Sequence, residues 1–370
     1  MLNRRALLTW IPLLALLALL AVSVGRLLAP PPAPRRSTSR RPRSFPCSLC
    51  KYSPPRRPAV PETGRLPPGG RPDLVEVTAA AAQSPEVRDQ SRVTLAAVGD
   101  VLLAAGVGRA IRAHGPGYPF ARVKSILGDA DIAVFNLECT LSRRGYPARK
   151  KFTFRADPSL SKHLRDAGLD VAVMANNHTL DFGRTALLDT LSAVRREGIV
   201  PVGAGRNLAE ARSLRVLRKN GLRIGFLAFA DMAVIGSVGR PDQPGIEYLD
   251  SRRMSNAISA AAKKVDILVA SFHWGSELDT YPTKRQRLLA RKAVDAGADL
   301  VIGHHPHVLQ PVGTYNGAPI AYSLGNFVFS SRSPLTRKSA ILVFSLDKDG
   351  ARLVRRAPVR IVNCRPVLEK

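Results

Sequence analysis

Asp100, Glu138, Asn177, His178, Asp181, His273, His305 and His307 are the residues whose types and spacing could do chemistry in this chain. They stand in or beside five motifs met in order: Gly99-Asp100, Asn136-Leu137-Glu138, Asn176-Asn177-His178, Phe272-His273-Trp274-Gly275 and Gly303-His304-His305-Pro306-His307. Each motif closes an apolar run. Carboxylate, amide and imidazole are the donors of a divalent-metal site. In α/β sheets, ligands bind beyond the carboxyl ends of strands, so groups at several such ends converge despite their separation in sequence.

Singly, most of these motifs are ambiguous. Gly99-Asp100 is also the ordinary grammar of a turn or helix cap. Asn136 and Glu138 are two apart and share one face of a strand, yet a polar pair capping a turn reads the same way. Asn176-Asn177-His178 is more specific, because a turn made only for shape needs the asparagines but not the histidine. Asp181 lies close enough in sequence to orient that imidazole. His273, with Glu277 beyond it, reads alone as a satisfied core group and gains weight as the fourth such strand end. The 303–307 motif holds three of the chain's seven histidines. An extended backbone there predicts that His305 and His307 project to one face, as a pair of metal ligands would. Neutral imidazole suits zinc, iron, nickel and copper, and the mixed donor set admits manganese. Ser323-Leu324-Gly325-Asn326-Phe327 adds a further strand end that shapes a pocket wall or is a simple turn.

The elements that must position these groups alternate. Strand-like runs at Val93–Val98, Ile132–Phe135, Val171–Met174, Ile199–Val202, Ile224–Ala228, Val265–Ser271 and Leu300–Ile302 are separated by helical stretches at Pro158–Ala167, Arg184–Glu197, Ser251–Lys264 and Lys284–Ala296. That alternation predicts a layered α/β domain. Short strands at Ile320–Ser323, Ala340–Ser345 and Arg352–Pro358 follow, which predicts an antiparallel addition and so a mixed sheet or two stacked sheets with helices outside. No internal repeat is present.

Three segments are expected. Residues 1–28 form an N-terminal anchor, since Ala6 to Gly25 runs without a charge and is long enough to span a bilayer. That length, without a clear cleavage site, favours an uncleaved signal anchor, although Ala21-Val22-Ser23 imitates one. Arginines flank the run on both sides; an anchor of this kind delivers the following domain outside, so the expected place is the cell membrane with an extracytoplasmic body. Residues 29–91, rich in Pro, Arg and Ser, form a disordered or polyproline-like linker. Residues 92–370 form the folded domain.

The formal charge is +28, with 15 Lys/Arg and 5 Asp/Glu in residues 1–92, so the excess continues through the domain. Such a field favours a polyanionic partner, although a solvated basic surface explains the charge equally well. No zinc-finger spacing, ribonucleoprotein motif or heptad dimer is present, which argues against nucleic acid. Of the four cysteines, Cys47 and Cys50 form a C-x-x-C that reads as a local disulfide or as nothing, and Cys139 and Cys364 read as packing residues.

Taken as a series, GD, NLE, NNHxxDxG, HWGxE, GHHPHVLQP and SLGNF across Thr94 to Phe329 resemble the capsule-synthesis protein CapA family, which is linked to poly-γ-glutamate production and is similar to the calcineurin-like metallophosphatases. The resemblance implies an α/β/β/α sandwich of two stacked mixed β-sheets flanked by helices. It implies one or two divalent ions (Mn, Zn or Fe) held by Asp100, Glu138, Asn177, His273, His305 and His307, with His304 replacing a neighbour by a shift of register. His178, oriented by Asp181, matches the histidine that protonates a leaving group. Two positions depart from the metallophosphatase pattern: Leu102 stands where a histidine is wanted, and only Glu138 represents the bridging aspartate. Three functions follow. The first is a membrane-anchored protein acting in synthesis, release or export of an anionic polymer, polyglutamate or wall polymer, beside capsule-synthesis subunits, with a metal-dependent hydrolase-like site. The second is a noncatalytic polymer-binding or assembly subunit, and the third a generic extracytoplasmic metallophosphoesterase.

Overall fold

The structure, a computed structural model, describes residues 92–232 and 237–369. The expected anchor, the linker and the Cys47/Cys50 pair lie outside the described residues. Among the described residues no helix is long and apolar enough to cross a membrane.

The chain first lays down β1 (Val93–Val101), β2 (Ile132–Leu137), β3 (Val171–Val173) and β4 (Val200–Val202) as parallel neighbours. Between them run α1 (Ala105–His114), α2 (Lys124–Gly128), α3 (Ser161–Asp166) and α4 (Gly183–Arg196). A second sheet follows, made of β5 (Arg215–Lys219), β6 (Leu222–Ala230), β7 (Ile267–His273), β8 (Leu300–His304), β9 (Val312–Tyr315) and β10 (Ala318–Ala321). Its order is β9-β10-β8-β7-β6-β5, parallel inside and antiparallel at both edges. The helices α5 (Ser251–Ala262) and α6 (Lys284–Asp295) connect its central strands. The chain then returns to the first sheet with β11 (Asn326–Val328), parallel to the end of β1, and with β12 (Lys338–Asp347), β13 (Gly350–Val362) and β14 (Arg365–Leu368), which extend it antiparallel. Both sheets are mixed, one of eight strands and one of six.

Side-chain alternation explains the layering. In β6, Ile224, Phe226 and Ala228 join the core shared with β1 and β2, whereas Leu227 and Phe229 face a second core made with Met254 and Ile258 of α5 and Leu289 of α6. On β7, Ile267 and Val269 point to the shared core, so His273, an even number of residues further, points to the same layer. Leu300 and Ile302 place His304 likewise. The α5 stripe Met254, Ile258, Ala261 is an ordinary amphipathic face, and α6 opens with a capping box of Thr283 and Gln286. Cys139 lies in the shared core as a packing residue, its buried thiol pushed up to about 12.

The strands run further than their apolar patterns. Asp100 belongs to β1, Asn136 to β2, His273 to β7 and His304 to β8, so polar groups form the last rungs of the ladders rather than the turns beyond them.

Candidate metal centre

The carboxyl ends of β1, β2, β7 and β8 meet the loop after β3 and the start of β11 at one edge of the interlayer. From the first sheet come carboxylates and amides. Asn136 is their hub: its amide nitrogen donates to Asp100 Oδ1 at 2.8 Å and also to the Glu138 carboxylate. Its own oxygen accepts from Asn176 Nδ2 at 2.9 Å, and the same Asn176 amide donates to the Leu137 carbonyl. Asn176 Oδ1 in turn accepts from the backbone N–H of His178 and the hydroxyl of Thr179. Asp100, Asn136, Glu138 and Asn176 are fully buried. Gly99 makes this possible, because β1 passes so close to the 323–327 turn that a Cβ at Gly99 would lie 1.9 Å from the Gly325 carbonyl oxygen.

From the second sheet come imidazoles. His273 Nε2 lies 2.9 Å from Asn177 Oδ1 and 3.9 Å from Glu138 Oε1. His304 Nδ1 lies 3.5 Å from Asp100 Oδ1, at the outer limit of a hydrogen bond. His307 Nδ1 lies 2.9 Å from Asp100 Oδ2 and 3.0 Å from Asn326 Oδ1. The His305 ring stands 4.8 Å, centroid to centroid, from that of His273.

The expectation of an extended backbone at 305–307 is corrected here. His305 and His307 have φ of 96° and 58°, so both occupy left-handed conformations that favour glycine. Alternate projection from a strand therefore does not aim them; a kinked turn does. His304 is no substitute for either, since it is the last residue of β8 and faces the same pocket beside them.

His178 is held from behind. Its Nδ1 is 2.8 Å from Asp181 Oδ2, and its Nε2 faces Glu138 Oε1 at 3.7 Å. Asp181 also accepts from the backbone N–H of Phe154 and pairs with Lys150, whose ammonium donates to the Asn177 carbonyl. Lys150, Asn136, Asn176 and Asn326 are partners that the sequence reading did not single out. The motifs named three of them as neighbours, but nothing marks Lys150 within its run of basic residues.

Electrostatics divide the cluster. Burial acts to raise Asp100, yet hydrogen bonds and positive charge from His304 and His307 outweigh it and hold that carboxyl well below the usual range. Burial and the Asp100 charge push Glu138 up to about 7. Burial opposes a charged His307, but Asp100 beside it holds the imidazolium up to about 9. Burial holds His273 well below its ordinary value, with His305 adding to the effect, and burial with the His307 charge brings His305 down to about 4. Near neutrality His273 and His305 are thus neutral imidazoles, the form that ligates a cation.

Among the described residues, no group of three or more His, Cys, Asp or Glu stands ready to hold a metal ion. The geometry gives the reason: Asp100 closes onto His307, and Asn136 bridges both carboxylates. The donor set nevertheless fits one. Glu138 Oε1, His273 Nδ1, both nitrogens of His304 and His305 Nδ1 are buried without a hydrogen-bond partner. Such orphaned atoms are scarce in folded proteins and here they gather in one place.

A two-sheet α/β domain with imidazole, carboxylate and amide gathered where its parallel strands end defines the class. The chain belongs to the bacterial capsule synthesis protein PGA_cap family, whose profile matches residues 94–331. It is 36% identical over 293 residues to the PGA biosynthesis protein CapA of Bacillus subtilis, covering 78% of this chain and 77% of the relative. It is 33% identical over 282 residues to the capsule biosynthesis protein CapA of Bacillus anthracis, covering 74% and 69%. Among solved structures, a hypothetical protein from Thermus thermophilus aligns with TM-score 0.43 and 16% identity over 72% of this chain and 97% of that one. The Haemophilus influenzae NAD nucleotidase aligns with TM-score 0.42 and 11% identity over 73% and 56%. Likeness at that level says nothing about chemistry.

Proposed function

We propose that the protein is a membrane-anchored, outward-facing CapA-family component that acts in synthesis, release or export of an anionic capsule polymer such as poly-γ-glutamate, through a metal-dependent, hydrolase-like site. The observation that carries this reading is the convergence of unpartnered buried donor atoms from Glu138, His273, His304 and His305. Leaving such atoms dry costs about 1–3 kcal/mol each, a cost that a bound cation offsets. The names of the Bacillus relatives support the polymer, and the uncharged run Ala6 to Gly25 supports the anchor.

Asp100, Glu138, Asn177, His273, His305 and His307 would hold the ion, with His304 as a further donor. An ion of the Mn, Zn or Fe kind supplies, when bound, an activated water and a polarised phosphoryl or acyl oxygen. His178, braced through Nδ1 by Asp181, presents Nε2 to the pocket as the group that protonates the leaving atom. Leu102 is a core side chain, 1% exposed, and brings no ligand for a second ion, which supports a single one.

The test is elemental analysis of the full-length chain and of its Asp100→Ala and His305→Ala variants. Near-stoichiometric metal in the wild type and its loss in both variants is the expected result. A folded wild type that stays metal-free after reconstitution would sink this reading. That outcome would favour a noncatalytic polymer-binding subunit, a view to which the closed Asp100–His307 contact lends support.

A further inference from the structure

Residues 142–154 have no regular secondary structure and run beside the pocket. Their inner side is pinned to it: Ala148 N–H donates to the Asp181 carbonyl at 2.8 Å, Lys150 reaches the Asn177 carbonyl at 2.7 Å, and Phe154 N–H reaches the Asp181 carboxylate at 2.6 Å. Their outer side carries Arg149, Lys151 and Phe152, all exposed, the last with 56% of its surface in solvent.

The cations here are not alike. Arg143 pairs with Asp157 and Arg144 with Asp189. Arg149 and Lys151 make no ion pair among the described residues, and Lys151 instead lies over the Phe152 ring, 5.2 Å from its centroid. Phe152 stacks on Phe154 at 6.4 Å, and Phe154 stands 4.7 Å from the His178 ring. An aromatic step thus leads from solvent to the site, flanked by two cations without anionic partners. Neither packing nor the site's own hydrogen bonds require them.

We infer that Arg149, Lys151 and Phe152 form a docking rim for a flexible polycarboxylate chain, which they hand to the pocket beside His178. This rests on the reading of the pocket as a site that acts on such a polymer. A row that alternates cation and aromatic ring suits a chain that alternates carboxylate and methylene links: the charges pair with Arg149 and Lys151, and the methylenes lie on Phe152. Polyphosphate offers the charge without the apolar links.

The test measures binding of polyglutamate of fixed length, and of inorganic polyphosphate of matched charge, to the full-length protein in detergent, with bound metal determined in parallel. Arg149→Gln/Lys151→Gln is expected to weaken polyglutamate binding tenfold or more and Phe152→Ala severalfold, with metal content unchanged. Arg143→Gln/Arg144→Gln, which removes cations already neutralised, is expected to bind as the wild type does. Equal losses from the two double variants would overturn the inference, as would a wild type without affinity for polyglutamate, or polyphosphate that binds as tightly and is as sensitive to Phe152→Ala. Rim-dependent polymer binding by a protein that holds no metal would uphold the rim while removing the metal-site reading.

Discussion

The two sheets contribute opposite halves of one pocket. The eight-stranded sheet supplies Asp100, Asn136, Glu138 and the 176–178 loop, in which carboxylates and amides already satisfy one another through Asn136 and Asn176. The six-stranded sheet and the turn after β8 supply imidazoles, three of which keep nitrogens without partners. One half is organised by its own hydrogen bonds; the other is held by strand ends and a kinked turn and still lacks something to bind. Preorganised carboxylates beside unsatisfied neutral imidazoles make a pocket that favours a cation over an anion.

The largest effect should come from breaking the organised half. Asn136→Ala leaves two buried carboxylates without their shared donor, and by analogy with a buried pair robbed of one partner it should cost about 4 kcal/mol of stability, read as a lowered denaturant midpoint. A loss below about 1 kcal/mol would show that the carboxylates find other partners and that the contrast between the halves is overdrawn.

The link between the halves is the Asp100–His307 pair, and pH should sever it in metal-free protein. The folded state holds the His307 proton up to about 9, above its ordinary 6.5. The stability from this pair is therefore complete below about 6.5 and disappears as pH rises through 9, a loss on the order of 3 kcal/mol. Glu138, raised to about 7, gives a loss of the same sign at lower pH, and His305, lowered to about 4, a gain below 6.5. The comparison is cleanest between pH 7.5 and 10. His307→Gln should flatten the unfolding curve across that window; an unchanged slope would free His307 of this role.

The smallest effect should come from the imidazole half. His305→Gly removes a side chain from a left-handed position where glycine is at ease, and that relief partly offsets the lost packing. Metal-free stability should stay within about 1 kcal/mol of wild type while metal retention falls. A large destabilisation instead would make His305 part of the framework.

The alternation of strands and helices was legible because buried strands and amphipathic helices carry distinct apolar periods, as Ile224–Ala228 and Ser251–Lys264 show. The helix α1 was not, since Gly106 and Gly108 dilute its pattern; they are there for packing, and a Cβ at Gly106 would lie 2.4 Å from Ser330 Cβ. The short β11 and β14 were missed because a three- or four-residue run has too little period to recognise. Lys150 was missed because its partners, Asp181 and the Asn177 carbonyl, are distant in sequence and its neighbours are also basic.

By itself the sequence determined which residue types stand at the ends of apolar runs, and with them the family and the candidate donors. Tertiary structure alone decided that Asn136 sits between two carboxylates, that His304 joins His305 and His307, and that left-handed backbone rather than an extended strand aims the last two. The reason is physical: periodicity reports which face of an element is buried, whereas hydrogen-bond partners and electrostatic shifts depend on distances between elements that only packing of the two sheets establishes.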